Sequence, residues 1–378
     1  MQLQPIHTIN PQSYDIFIGL DVDSKSVAST FLDWEQMIKS IQIPYKPQAL
    51  IQYVRNHFSD KRVVFAYEAG PTGYGLHDDL VREGYRCLVV PSSRIPRVPG
   101  VQVKTNRLDS IKLASCLRGG QLKSIHIPPP CYRELRHLIV LRDGSLQQVQ
   151  TAKRRIKSLL LFEGVPFPEN SGWWSEKLVQ ELKELDLNPS AKFKLNTLLA
   201  ALQFSKGQML ETQKEIRRLC LREPELESNI RLLTTIPGIG SIVAAHLLAR
   251  IGDWRQIPKT KHVASFLGLT PQEHSTGDSV RKGRITGAGD HRLRAKLIQG
   301  AWMAVRHDRE LGEFYHRIYL NHPKDQAAQK AIVAVARKLA MRVGSVLKNQ
   351  KPYESRFPLP QTVGEPCALG SSSDNSQN

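Results

Sequence analysis

Three segments of the chain each carry a carboxylate placed where it could act on a phosphodiester. Asp21 follows the apolar run IFIGL, Glu68 follows RVVFAY, and Asp109 lies at the predicted start of a helix in KTNRLDS. Carboxylates that meet at strand ends can hold two divalent ions, which activate a nucleophile and stabilise the leaving oxygen at phosphorus. Magnesium suits such a site, because it prefers carboxylate oxygen together with water and substrate phosphate. A lone acid at a strand end usually faces solvent, so the predicted metal site depends on the three acids occurring together.

A fourth segment, PQEHSTGDSVRKGRIT, places the hydroxyls of Ser275 and Thr276 before a basic run. A hydroxyl beside several arginines can attack a phosphodiester while the arginines neutralise the charge of the transition state. The same spacing fits a Ser/Thr loop before a helix, with the basic residues contacting phosphate non-specifically. The candidate phosphate-binding residues are Arg281, Lys282, Arg284, Arg292 and Arg294.

The segment TTIPGIGSIVAAHLL is typical of a helix-hairpin-helix. Its glycine turn, with Gly238 and Gly240, and the helix that follows would present backbone N–H groups to a phosphate without reading bases. The alternative is a tight turn between two core helices. We favour phosphate contact, because the basic run follows within the same predicted unit.

Composition supports a polyanionic partner. The 378 residues include 53 Lys and Arg against 35 Asp and Glu, which gives a net charge of +18 and a pI near 9.8. Such a surplus favours nucleic acid, although it also fits a basic protein that is merely soluble or one bound to an anionic membrane. Five scattered cysteines without a CxxC pair predict neither a zinc ribbon nor a disulfide framework. The chain has no predicted signal peptide and no run of 18 apolar residues, so we expect a cytoplasmic protein with no membrane partner.

The pattern of apolar residues predicts three folded units and a disordered tail. Within 14–130, short β-branched and aromatic runs alternate with helical spacing, which predicts a mixed α/β sheet covered by helices. Residues 131–228 have a long, basic, helical pattern and are expected to form a helical, coiled-coil-like arm. Residues 229–350 are predicted to be mainly helical, and 354–378 are low in large apolar residues.

Taken together, these segments resemble the DEDD insertion-sequence transposases from about Ile16 to Leu347. The motifs that carry the resemblance are GLDVDSK, YEAGPTGYG, KTNRLDS in place of KTD-x-x-D, and the block containing PGIG, GLTP and GRIT-x-x-G. The resemblance implies a RuvC-like, RNase H-like amino-terminal nuclease domain and a carboxy-terminal transposase domain with a serine nucleophile. It also implies a structured bridge RNA that specifies donor and target DNA.

The resemblance further implies a site made of an acidic cluster and a hydroxyl. Asp21, Glu68, Asn106 and Asp109 would hold magnesium, with Asn106 standing where the family has an acid, so that the site loses one negative charge. The family's nucleophile precedes a glycine, which favours Thr276 by position, whereas the less hindered primary hydroxyl favours Ser275. Strand exchange between two duplexes implies a homodimer or tetramer.

Two other interpretations remain open. A Holliday-junction-type nuclease would need the carboxylates and magnesium but no hydroxyl nucleophile. A non-enzymatic nucleic-acid-binding protein would retain the basic surface, with Asn106 and Thr276 marking decayed chemistry.

Overall fold

A computed structural model describes residues 8–96, 105–168, 174–273 and 282–355. The chain divides into two compact units, the first over Gln4–Pro128 and the second from Pro129 onward. The second unit contains both the predicted arm and the helices that follow it. Ser275, Thr276 and Arg281 lie outside the described residues, as does the predicted disordered tail beyond residue 355.

The first unit is built on a mixed five-stranded sheet, as the alternation of strand and helix patterns predicted. Its strands are β1 Ile16–Val22, β2 Ser26–Leu32, β3 Met37–Pro44, β4 Val63–Glu68 and β5 Arg86–Val90. The order across the sheet is β3-β2-β1-β4-β5. β1, β2 and β3 pair antiparallel, whereas β1, β4 and β5 pair parallel.

Helices cover both faces of this sheet because successive side chains of a strand point to opposite sides. The helices are α1 Pro47–Phe58, α2 Gly75–Arg82 and α3 Asn106–Arg118. On one face, α1 and α2 share a core with Ile18, Leu20 and Phe65. On the other, α3 packs on alternate residues such as Phe17 and Val64. The sheet therefore has an α3 face and an α1–α2 face.

The sequence interpretation missed β3. It predicted only two strands before the first helix, whereas the structure has three. β3 is an edge strand, and Ile43 is its only buried residue. An edge strand exposed along most of its length needs no apolar run, so MIKSIQIP lacks the signal that marks its neighbours.

The second unit begins with two long helices that pack against each other. They are α4 Pro130–Phe162 and α6 Pro189–Arg222, with the short α5 Glu176–Glu184 between them. The last turns of α4, with Ile156 and Leu160, pack on the first turns of α6, with Leu195 and Leu199, so the two helices run antiparallel.

The rest of the unit consists of further helices and one strand pair, and helices pack around the last of these helices. In chain order these elements are α7 Pro224–Thr234, α8 Ser241–Ile251, α9 Lys261–Phe266, β6 Pro271–Glu273, β7 Lys282–Ile285, α10 His291–His307, α11 Arg309–Leu320 and α12 Lys324–Asn349. Buried residues of α12 such as Val335 and Leu339 belong to one hydrophobic core that also contains the first turns of α4 and the last turns of α6. Among the described residues, no helix is both long and apolar enough to cross a membrane.

Candidate active site

Asp21 and Glu68 lie on adjacent parallel strands of the first unit. The pairing of β1 with β4 ends at Leu20 and Tyr67, and the two acids are the next residue on each strand. Neighbouring strands are about 4.8 Å apart, so the two carboxylates start from adjacent backbone positions. Both side chains are partly exposed, and Glu68 accepts a hydrogen bond from the Ser92 hydroxyl.

Helix α3 packs on the face of the sheet that carries Asp21. It contacts strand β1 at Gly19, two residues before Asp21. A Cβ atom on Gly19 would lie 2.2 Å from the Ser110 carbonyl oxygen and 2.3 Å from the Ala114 nitrogen. Only glycine therefore permits this close approach of helix and strand. The buried Ser110 hydroxyl also lies 2.8 Å from the hydroxyl of Thr30 on β2. These contacts fix the start of α3 on the face that carries Asp21.

The first turn of α3 carries the other two candidate ligands. Thr105 caps the helix, its hydroxyl accepting from the Leu108 N–H at 3.2 Å. Asn106 is the first helical residue and is exposed, whereas Asp109 is partly buried. Across the part of the chain that the structure describes, no three His, Cys, Asp or Glu side chains form a group able to hold a metal ion. The structure thus brings Asp21 beside Glu68 and places Asp109 on the helix of the same face, without assembling a metal cluster.

In the second unit, the turn between α7 and α8 packs against α10 where Gly238 of the turn meets Gly300 of the helix. Gly238 has φ of +86°, and a Cβ atom there would lie 2.1 Å from the carbonyl oxygen of Gly300. Gly240 differs from Gly238, because it is exposed at the start of α8, a helix that no side chain among the described residues caps. Gly238 therefore packs closely against α10, and Gly240 is the more exposed glycine of the turn.

The strands on either side of the predicted hydroxyl segment form a short antiparallel pair. Pro271 pairs with Ile285, and Glu273 pairs with Lys282. Behind this pair, Gly268 packs against the backbone of residues 287–288, with a would-be Cβ atom 2.3 Å from the Ala288 carbonyl oxygen. The GLTP and GRIT-x-x-G motifs are thus in direct backbone contact.

The three candidate arginines within the described residues differ in their environment. Arg284 is exposed on β7. Arg292 donates to the side chain of Gln147 on α4 at 2.9 Å. Arg294 donates to the carbonyl oxygens of Leu267 and Ala288 at 3.1 and 2.9 Å, which holds the two glycine-containing turns together.

A buried ionic network links α4, α8 and α10, and the sequence interpretation missed it. Lys296 donates to both carboxylate oxygens of Asp143, at 2.7 and 2.8 Å, and lies 2.9 Å from His246 Nδ1. His246 Nε2 in turn lies 3.2 Å from Asp290, which caps α10. Asp143 and His246 are almost fully buried. The sequence signal that could have indicated this network is a charged residue at a core position of a helical pattern, because buried charges are nearly always paired.

Burial and neighbouring charge shift the pKa values within this network. Burial, together with the adjacent Lys296 ammonium, lowers the pKa of His246. Burial also lowers the pKa of Lys296, although its hydrogen bond to Asp143 acts in the opposite direction. For Asp290, burial acts to raise the pKa, but the hydrogen bond from the Leu293 N–H and the adjacent His246 lower it overall.

Family models match both units of the chain. The DEDD transposase model of the IS110 group matches residues 18–163, and the model described as the transposase IS116/IS110/IS902 family matches residues 230–316. Together they cover more than half of the chain. The first contains Asp21, Glu68 and Asp109, and the second contains the α7–α8 turn and the hydroxyl segment.

Individual relatives agree with the family models. The putative transposase y4qE of Sinorhizobium fredii is 31% identical over 64% of this chain and 58% of that protein. The transposase for insertion sequence element IS1533 of Leptospira borgpetersenii is 22% identical over 90% of this chain and 98% of that protein. The pilin gene-inverting protein of Moraxella bovis is 27% identical over 68% of this chain and 70% of that protein. From these matches and the motifs they contain, the chain belongs to the IS110 family of DEDD transposases.

Proposed function

We propose that this protein cleaves and rejoins DNA strands to move an insertion sequence, with its first unit acting as a RuvC-like nuclease domain. The observation that carries the proposal is the position of Asp21 beside Glu68, at the ends of parallel strands, on the face to which Gly19 admits α3. Two acids on adjacent strands and a third on the helix across the same face form a usual starting arrangement for phosphodiester chemistry.

The chemistry of the donor set fits magnesium. Asp21, Glu68 and Asp109 offer carboxylate oxygens and Asn106 offers an amide carbonyl, which are ligands that a hard divalent cation prefers. When bound, magnesium would polarise the scissile phosphate and stabilise the leaving oxygen. The Ser92 hydroxyl, which donates to Glu68, would keep that carboxylate oriented at its strand end.

A hydroxyl of the second unit would act as the nucleophile. We favour Ser275, with Thr276 next, because a primary hydroxyl approaches phosphorus with less steric hindrance. The hydroxyl oxygen would bond to phosphorus and lose its proton, while the bond from phosphorus to the deoxyribose oxygen breaks. The departing oxygen would take up one proton in exchange. The phosphoester thus formed conserves the bond energy, and attack by a second DNA hydroxyl would release the enzyme and rejoin the strand.

Backbone contact with DNA would come from the same unit. Gly240 at the start of α8 and the exposed Arg284 are the strongest described candidates, and Lys282 and Arg281 lie close to Arg284 in the sequence. N–H groups at a helix start and arginine side chains both bind phosphate without reading bases. Donor and target DNA, a structured guide RNA and a homodimer or tetramer are the proposed partners.

The proposal is tested by trapping the covalent intermediate. Purified protein is incubated with labelled donor DNA and magnesium, denatured, and examined for a protein–DNA adduct. Ser275→Ala should remove the adduct, Thr276→Ala should weaken it, and Thr276→Ser should preserve it. Asp21→Asn and Glu68→Gln should each abolish strand exchange while the melting temperature is unchanged.

Other outcomes would assign a different chemistry. Loss of the adduct in Thr276→Ala but not in Ser275→Ala would reverse the two hydroxyls. Cleaved DNA without any adduct, dependent on Asp21 and Glu68, would identify a hydrolytic nuclease of the Holliday-junction type. Wild-type strand exchange by the Asp21 and Glu68 variants would overturn the role of the acidic site.

A further inference from the structure

Three aromatic side chains form a ladder on the surface of α10 and α11. Trp302 lies with its ring centroid 5.7 Å from that of Tyr315, and Tyr315 stacks on Tyr319 at 6.0 Å with an interplanar angle of 22°. Trp302 is 42% exposed, and both tyrosines are partly exposed. We refer to Trp302, Tyr315 and Tyr319 as the aromatic ladder.

The aromatic ladder extends beyond the hydrophobic core of this unit. Phe314 and Tyr315 pack against the core cluster of this unit, but Trp302 does not belong to it. Two other large apolar side chains, Met303 and Leu320, are exposed on the same two helices, Leu320 at 80%. A tryptophan left in water forgoes a large burial energy, and further apolar groups are exposed on the same helices, which together favour a partner that covers this surface.

The charge around the ladder is positive. The sequence of α10 contains no acidic residue, and it carries the exposed Arg306 one turn after Trp302. The only acids of α11 are Glu310, which binds Arg342, and Glu313, which binds Arg309. The positive charge of Arg306 and of the exposed Arg317 is therefore not offset by a free acid on either helix.

We propose that the aromatic ladder stacks unpaired bases of single-stranded DNA. Aromatic side chains bind bases through their faces without regard to sequence, while neighbouring arginines attract the backbone. The inference rests on the proposed function, because exchanging strands between two duplexes exposes unpaired bases near the enzyme. A nucleic acid strand offers both an unpaired base to each aromatic face and a phosphate to each neighbouring arginine, so it satisfies the two kinds of side chain together.

The first experiment measures binding of a labelled oligothymidylate by fluorescence anisotropy and compares it with an abasic strand of equal length. Stacking is worth about 1–3 kcal/mol per base, so Trp302→Ala should weaken binding to oligothymidylate by about 5- to 140-fold. Binding to the abasic strand should be unchanged, because it retains the phosphates. Trp302→Phe should restore most of the loss, since it keeps an aromatic face.

A matched control comes from the arm. Phe193 on α6 is a more exposed aromatic residue, at 75%, and it lies outside the ladder. Phe193→Ala should leave both affinities at the wild-type level. The melting temperature and the oligomeric state of Trp302→Ala should also match the wild type.

Several results would overturn the inference. These are equal binding of oligothymidylate by the wild type and Trp302→Ala, an equal loss for the abasic strand, a larger loss for an RNA strand than for DNA, or a change in oligomeric state. The assay requires no cleavage, so it is independent of the adduct experiment. A wild type that forms no adduct but shows base-dependent binding would refute the proposed function alone, whereas an adduct without base-dependent binding would refute this inference alone.

Discussion

Lys296 lies 2.9 Å from Nδ1 of His246, and this contact fixes the tautomer of a buried imidazole. An ammonium group only donates hydrogen bonds, so Nδ1 must accept and the proton must be on Nε2. Nε2 then donates to Asp290 over 3.2 Å. The neutral His246 ring thus accepts a hydrogen bond from Lys296 and donates one to Asp290. These two bonds join α8 to α10 and to the residue that caps it.

This arrangement makes the second unit sensitive to acid. The pKa of His246 is lowered in the folded protein, whereas in the unfolded chain it returns to about 6.5. Below that pH the unfolded chain binds more protons than the folded one, so the free energy of unfolding falls as the pH falls from 7 to 5. His246→Gln should reduce this dependence, because an amide can accept from Lys296 and donate to Asp290 without titrating.

Calorimetry of both proteins between pH 8 and pH 5 checks this prediction. His316→Gln is the control for replacing a histidine by glutamine, because His316 is exposed on α11 and lies outside the buried network. A wild-type slope in His246→Gln would show that the buried ring is not a source of the acid sensitivity.

Contact between the Gly238 and Gly300 backbones predicts a second result. A Cβ atom on Gly300 would lie 2.4 Å from the Gly238 carbonyl oxygen, and backbone atoms cannot rotate away as a flexible side chain would. Gly300→Ala should therefore lower the free energy of unfolding by about 1–3 kcal/mol or more, even though alanine is the better helix former.

Gly207 provides the matched control for that substitution. It lies in the middle of α6, and within the described parts of the chain no atom outside the helix's own backbone would lie within 4 Å of an added Cβ atom. Gly207→Ala should stabilise the protein by about 0.8–1 kcal/mol. Destabilisation of similar size by both substitutions would contradict the role assigned to the Gly238–Gly300 contact. The midpoint of thermal unfolding measures both effects.

Local patterns predicted the strands that carry Asp21 and Glu68, because buried parallel strands are continuous apolar runs. The edge strand β3 lacks such a run, and it was missed. The Lys296–Asp143 pair was also missed, because the partners lie 153 residues apart and nothing in the local sequence of either names the other. Phosphate binding by Gly238 stays a prediction. Its close contact with Gly300 was not predicted, because that contact depends on how α10 packs, which the motif does not encode.

The neutral residue at position 106 leads to a third prediction. Asn106→Asp restores the carboxylate of the family motif at the exposed first position of α3, where a negative charge also interacts favourably with the helix dipole. Strand exchange should be maintained or increased, most clearly at low magnesium. A titration of magnesium for the wild type, Asn106→Asp and Asn106→Ala measures this, with Asn106→Ala expected to require more magnesium. Equal magnesium dependence in all three would mean that position 106 is not a ligand.

The two kinds of basic residue around β7 give the last prediction. Arg284 is exposed, whereas the Arg294 guanidinium already donates to the carbonyl oxygens of Leu267 and Ala288. Each phosphate contact contributes about 0.9 to the slope of log affinity against log salt. Replacing Arg281, Lys282 and Arg284 by glutamine should therefore flatten the slope for duplex DNA by about two to three. Arg294→Gln should lower the melting temperature and leave the slope almost unchanged, because its hydrogen bonds lie within the protein. A slope unaffected by the triple substitution would place this strand away from the DNA backbone, and a slope changed by Arg294→Gln alone would mean that its guanidinium leaves the two turns to bind phosphate.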